Sequence, residues 1–338
     1  VEPDLSLQVE QFLRNALRQR KLEDRLVRQA LRDLRLTLAG IERVVGGSGV
    51  LVVGPAREEN IRRLVEAIKE SVKESFSGPQ LTALQEALTP FVEQQLDFAR
   101  QMVQRAGGSL TAEGAVQLTP LQASRLVNQQ VVAGKTLEAQ LTATLPAAVA
   151  DRVERFIRLG LSDVGGETFA TYQDAVVRVT ENNVEAIIRT ATHEAGSAAQ
   201  QLIYQFETDP DWIGPEGLVW TAIFDSRTCP VCLKLDGKRF PTDYQKVSPH
   251  AQCRCMLLPW KWRNEDMATP QGVVPRTRPA KGDDGREELS VKTAAKTWVK
   301  DNPETAQAIF GKKLGQDLID GKVSFDQAVK RWQAPKAT

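Results

Sequence analysis

The chain has 338 residues, 41% of them hydrophobic and 26% charged, with a formal net charge of +1. So even a balance excludes global charge as a guide to nucleic acid or membrane, and any such contact must rest on a local patch. The length favours two or three domains over a single core.

No apolar run approaches the roughly 18 residues that a bilayer span needs. The opening "VEPDLSLQVEQFL" lacks the basic-then-apolar pattern of a signal peptide, and Val1 in place of methionine reads as a processed or trimmed start. The chain reads as soluble and made in a reducing cytosol, where metal ligands or free thiols outrank structural disulfides.

From Phe12 to Val45, apolar residues recur at Leu13, Leu17, Val27, Leu31, Leu34, Leu38, Ile41 and Val45, at spacings that predict an amphipathic helix. The same helix carries Arg14, Arg18, Lys21, Arg25, Arg28, Arg32 and Arg35 in alternating steps of four and three, which places them on one face. Gly46, Gly47 and Gly49 end it, and "VLVVGP" follows as a short strand or apolar loop. Further helices are expected over 58–76, 78–106, 118–134, 136–161 and 180–206. Pro79 suits a first helical turn, Pro90 should kink or divide its helix, and "SDVGGE" should separate the last two.

After Phe206 the texture turns to short strands. "LVWTAIF" (218–224) is β-prone, Asp236-Gly237 is a hairpin signal, and "CMLLP" supplies a third strand. Residues 266–290 are rich in Pro, Gly and charge and read as a linker. In the tail, Asn302 and Pro303 open a helix whose face carries Phe310, Leu314 and Leu318 and which Gly321 stops. Ser324 to Gln327 forms a capping box for a last helix.

All four cysteines and one of the two histidines fall between residues 229 and 255. Cys229 and Cys232 form a knuckle with two residues between them, His250 and Cys253 repeat the spacing, and Cys255 follows. Tetrahedral zinc takes four N or S ligands at about 2.0–2.3 Å, so five candidates compete for four places in a structural site without an open position. Cys253 and Cys255, two apart on a strand, can point to one face, and either can close the site. The preferred set is Cys229, Cys232, His250 and Cys255, with Cys253 as the spare. A disulfide and buried free thiols are the alternatives.

Trp220, Asp225, Arg227, Thr228, Cys229, Pro230, Cys232, Leu235 and Gly237, followed by "PHAQCRC" and Pro259, closely resemble the phage minor head protein family typified by the F protein of phage Mu. Ala251 stands where that family often has proline. Upstream, "AIIRTATHEAGSAA" (186–199) is similar to the family's Arg-Thr-Glu helix, with Ala191 in place of the glutamate and Glu194 as the nearest acid. Downstream, "KTWVKDNPETAQAIFGKKLGQDLIDGKVSFDQAV" is similar to a tail common in these proteins. The resemblance runs roughly from Arg155 to Val329.

It implies a virion component: a minor capsid or head-morphogenesis protein of a bacteriophage, associated with the portal inside the head. Such a protein acts in procapsid assembly and sometimes in DNA packaging or ejection. The implied partners are portal, capsid and scaffold proteins, with no membrane.

The basic face of the first helix is read either as a contact for DNA or an acidic partner, or as a solvated face offset by Glu23, Asp24 and Asp33. His193, beside Glu194 but without a second histidine, should pack or cap within its helix and not form a zincin site. Trp220 and Trp260 are expected as core around the cysteines, and the Trp298 and Phe310 face as core of a tail subdomain. An HNH-type nuclease would need a further histidine, and no phosphate loop, nucleophile elbow or Cys–His pair appears, so no enzyme is expected. A zinc-finger-like nucleic-acid-binding module is the alternative function; around the cysteines it has only Lys234, Lys238 and Arg239 to offer.

The expected fold is α+β and mostly helical. An elongated helical N-terminal region (1–150) precedes a core (151–265) with a small antiparallel sheet and the Cys/His cluster. The linker (266–290) and a helical tail (291–334) follow.

Overall fold

The computed structural model describes residues 5–47, 57–105, 107–111, 116–129, 131–132, 135–160, 168–213, 217–224, 228–244, 246, 252–259, 278–281, 287–291 and 295–332. The chain is mostly helical, with a three-stranded antiparallel sheet beside a cluster of buried cysteines. It forms two compact units, each discontinuous in sequence. One comprises Val1–Arg20, Phe91–Ala123 and His193–Lys336; the other comprises Lys21–Pro90, Ser124–Thr192 and Ala337–Thr338.

The first long helix, α1 (Leu5–Gly47), follows the periodic pattern and ends at the glycines. After it come α2 (Arg57–Glu74) and α3 (Pro79–Arg105). Pro90 does not divide α3: a proline omits one backbone hydrogen bond, and the helix continues on both sides of it. The helix expected to reach Gly134 stops earlier, as α4 (Pro120–Gln129). Val131–Val132 (β1) then pairs antiparallel with Lys135–Thr136 (β2), where the β-branched Val131 and Val132 favour extension over helix.

Thr136 caps α5 (Leu137–Ala139), accepting from the Ala139 N–H. A π-helical turn (Gln140–Thr144) and α6 (Leu145–Gly160) continue from it. The next helix, α7 (Thr168–Phe206), starts twelve residues before the expected Thr180. "VLVVGP" and "SDVGGE" lie outside the described residues.

In the second unit, α2 packs on α6 through Ile61, Leu64, Ile68 and Val72, a stripe with helical spacing. Arg189 of α7 pairs with Glu23 (3.1 Å), Asp24 (2.6 Å) and Glu185 (2.7 Å). Arg158 of α6 forks onto both carboxylate oxygens of Glu58 at 3.0 Å.

The first unit holds the sheet. A short helix, α8 (Pro210–Ile213), leads to β3 (Leu218–Thr221), the central strand. It pairs with β4 (Arg239–Phe240) on one side and β5 (Met256–Pro259) on the other. All four residues of β3 are buried, as expected of a strand covered on both faces. Met256 and Leu258, two apart and so on one face, pack with Phe98 and Met102 of α3.

The Asp236-Gly237 turn does not join two strands. It follows a helix, α9 (Pro230–Leu235), and turns it into β4, with Gly237 at φ +77° and its N–H on the Trp220 carbonyl (2.9 Å). The Asp236 carboxylate accepts from the Ala222 N–H (3.0 Å), a bond that a helix-ending turn provides and a hairpin does not require.

Within the stretch read as linker, β6 (Arg278–Lys281) and β7 (Glu287–Val291) pair antiparallel. The tail then folds as α10 (Ala295–Asp301), α11 (Pro303–Phe310), α12 (Lys312–Ile319) and α13 (Phe325–Arg331). The single helix expected from Pro303 to Gly321 is thus two, broken at Gly311 (φ +84°). Asn302 occupies the cap position of α11 without capping it: its amide donates to the Trp298 carbonyl (2.7 Å). The Ser324–Gln327 capping box is present in full. Trp298 stacks on Phe224 (centroids 4.8 Å), tying α10 to the residues just after β3, while Phe310 meets Phe325 edge-on within the tail.

Candidate metal centre

Three of the four cysteines converge. The sulfurs of Cys232, Cys253 and Cys255 all lie within 4.8 Å of one another and are buried. Cys232 is carried by the first turn of α9, where Pro230 sits at a position that needs no N–H donor. Cys229 caps that helix, its sulfur accepting from the Cys232 N–H (3.3 Å). Cys253 and Cys255 come from the other side, on the segment entering β5. Gln252, at φ +58°, makes the left-handed turn into it, a conformation that non-glycine residues adopt at some cost. His250 lies outside the described residues, as do Asp225, Arg227, Ala251 and Trp260.

The dimensions suit a soft metal. Four sulfurs at about 2.3 Å from a tetrahedral zinc stand about 3.8 Å apart, and the Cys232 and Cys253 sulfurs are 3.6 Å apart. A disulfide needs about 2.0 Å, so these two are not bonded to each other. Cys253, the spare in the sequence reading, thus sits inside the cluster, and Cys229 is not among the three closest sulfurs.

Without a cation the group resists ionisation. Hydrogen bonding with Cys229, Cys253 and Cys255, together with burial, pushes the Cys232 thiol far up. Cys255 is also held well above the usual thiol range: the contact with Cys232 pulls it down, but the contact with Cys253 and burial outweigh that. A divalent ion supplies the charge that lets such thiols deprotonate, so ligation and proton release go together. Cys232, Cys253 and Cys255 would hold it, with Cys229 and His250 as the candidates for the fourth place. A filled thiolate shell cross-links the chain; it offers no position for substrate.

A buried polar layer surrounds the cluster. His193 on α7 is buried, with Nε2 2.7 Å from the Cys255 carbonyl and Nδ1 3.2 Å from Gln19 Nε2. A carbonyl can only accept, so Nε2 carries the proton and Nδ1 accepts from Gln19. Burial, reinforced by the Lys246 ammonium, pulls His193 down to about 3, so the ring is neutral. Its contacts reach beyond its own helix, where the sequence reading keeps it, and fix the segment that presents Cys255.

Two further residues carried no sequence signal. Lys246 has a fully buried side chain, with its ammonium 3.7 Å from Glu194 and 5.5 Å from the centre of the Trp220 ring. Its charge also favours a Cys255 thiolate. Gln201 holds this segment, donating to the Tyr244 carbonyl and receiving the Lys246 N–H (3.5 Å). Glu194, the nearest acid to Ala191, therefore anchors a buried lysine. Trp220 is fully buried core, as expected.

The stretch from Thr190 to Ser197 on α7 is buried throughout. A Cβ added at Gly196 would stand 3.1 Å from the Phe91 ring, so the small residues here let α3 approach. Asn15 and Gln95 exchange amide hydrogen bonds (3.0 and 2.9 Å), and Gln200 donates to Gln95 (2.6 Å).

Arg14, Arg18, Lys21, Arg25, Arg28, Arg32 and Arg35 are all exposed, and Arg35 pairs with Glu181 (2.5 Å). No described helix is long and apolar enough to cross a membrane.

A family model described as Phage Mu protein F like protein matches residues 125–258, which include all four cysteines. No curated protein and no solved structure matches the chain. The matched segment begins upstream of Arg155, takes in the helix resembling the Arg-Thr-Glu element and the motif around the cysteines, and ends within β5. Residues 125–258 are thus similar to the phage Mu protein F-like family.

Proposed function

We propose that the chain is a minor component of a phage head, acting in head morphogenesis beside the portal, with its cysteine cluster holding a structural zinc ion. The observation that carries this reading is the family match over 125–258, which contains the cluster and its sheet. The chemistry of the cluster supports it. Three buried thiols, a neutral histidine bonded to a backbone carbonyl and a buried lysine paired with a carboxylate make a rigid joint. Such a joint suits a docking module, whose partners would be portal, capsid or scaffold proteins.

The protein is proposed to be non-catalytic. His193, the only histidine among the described residues, has both ring nitrogens engaged and stays neutral, so it offers no general base.

The test is quantitative mass spectrometry of purified heads and virions of the phage that encodes the chain, with affinity capture of the portal from infected cells. A few copies per head, captured with the portal, are expected. Absence from heads and from the portal fraction would overturn the reading. A plasmid-nicking assay with Mg²⁺ or Mn²⁺ should give no cleavage.

A further inference from the structure

We propose that the face of α1 running from Lys21 to Arg35 is a docking surface for double-stranded DNA, bound through backbone phosphates without sequence readout. Lys21, Arg25, Arg28, Arg32 and Arg35 are all exposed. Steps of four and three residues keep them on one face, and fourteen residues of helix carry them over about 21 Å. A duplex presents one phosphate charge per about 1.7 Å of its axis, so such a row always has phosphates within reach.

Two observations separate this row from an ordinary solvated face. The first is pairing. Exposed cations on α2 and α6, in the same unit as this row, are matched at helical spacing: Arg62 and Arg63 with Glu59, Lys69 with Glu66, Lys73 with Glu70, and Arg155 with Asp151. On α1, Lys21, Arg25, Arg28 and Arg32 make no ion pair with any described residue. Of the acids that the sequence offered as partners, Glu23 and Asp24 pair with Arg189, and the side chain of Asp33 lies outside the described residues.

The second is composition. The centre of a protein–protein interface is depleted in charge and rich in aromatic side chains. This face has four cations without an ion pair among the described residues, no aromatic residue between Lys21 and Arg35, and its exposed leucine, Leu36, only beyond the end of the row. It suits phosphates better than it suits a folded acidic partner.

The experiment titrates the full chain against a fluorescein-labelled duplex of random sequence and about 30 base pairs, read by anisotropy over rising NaCl. Four contacting cations predict a slope of log affinity against log salt of about −3.6. The variant Arg25→Gln/Arg28→Gln/Arg32→Gln should lose at least about tenfold in affinity at low salt and bring the slope to about −1. Arg62→Gln/Arg63→Gln on α2 should change neither.

Should the triple variant lose helicity by circular dichroism, Arg28→Gln alone reads the same effect as a slope smaller by about 0.9. An unchanged slope, an equal loss in the α2 variant, or binding of poly-glutamate in preference to duplex would overturn the proposal. The assay needs neither portal nor heads, so it can fail while the head-assembly reading stands.

Discussion

Tyr204 is fully buried on α7, and its hydroxyl has no hydrogen-bond partner among the described residues. Burial alone pushes its ionisation far above the usual phenol range, so the group stays neutral and simply unsatisfied. An unpaired buried hydroxyl costs about 1–3 kcal/mol, whereas removing it leaves a ring of nearly the same shape. Tyr204→Phe should therefore leave the protein as stable as before or raise its stability by about 1 kcal/mol. The urea midpoint measures this, and a clear fall in midpoint would reveal a partner that the hydroxyl depends on.

Legibility at this scale follows residue type. The cysteines stood out because the chain has few of them and all lie within 27 residues. Lys246 gave no signal, and Glu194 none that pointed to a lysine, because a lysine and a glutamate 52 positions apart look like surface residues until folding buries both. Which sulfurs lie closest was equally invisible. Spacing admits either Cys253 or Cys255, and only the left-handed turn at Gln252 and the path into β5 bring both in.

Among elements, the tail shows how close packing overrides local preference. The one helix expected after Pro303 folds back at Gly311, and α12 then lies against α11 so closely that a Cβ at Gly315 would stand 2.7 Å from the Ala306 carbonyl oxygen and the Gln307 Cα. Alanine is preferred over glycine within a helix by about 1 kcal/mol. Here the atoms in the way are backbone, which cannot move aside as a flexible side chain can. Gly315→Ala should thus destabilise the protein by about 1–3 kcal/mol in spite of the propensity gain. A lower thermal midpoint checks the sign, and a higher one would mean that the two helices separate at little cost.

The same contest explains the other element-level differences. Helical and β periods, read along the chain, located α2, α3, β3 and β5 to within a few residues, and α1 except for its first two turns. Period alone did not distinguish a helix-to-strand turn at Asp236-Gly237 from a hairpin, because Pro230 and the Cys229 cap start a helix six residues earlier. It did not locate the β1–β2 pair either, where four residues decide the outcome.

For the whole molecule, the sulfur cluster and the tail meet on one short helix. Cys232 ties α9 to the segment entering β5, while α10 and α13 pack on α9 and Lys234 reaches Asp326 (3.2 Å). That ion pair is exposed and contributes little on its own, and strands of four, two and four residues have little core of their own to hold them. Stability of the first unit is therefore expected to depend on the metal, and that of the second unit is not.

Protein purified under reducing conditions should carry one zinc per chain by elemental mass spectrometry. Chelation should expose thiols to a colorimetric reagent. In hydrogen exchange, chelation or Cys232→Ser should deprotect amides of α9, β3, β5 and the tail helices, while α2 and α6 in the second unit keep their protection. Equal loss in both units would show that the chain unfolds as one cooperative body. A metal-free protein with fully protected thiols would show that packing alone holds the joint, and the zinc assignment would fall.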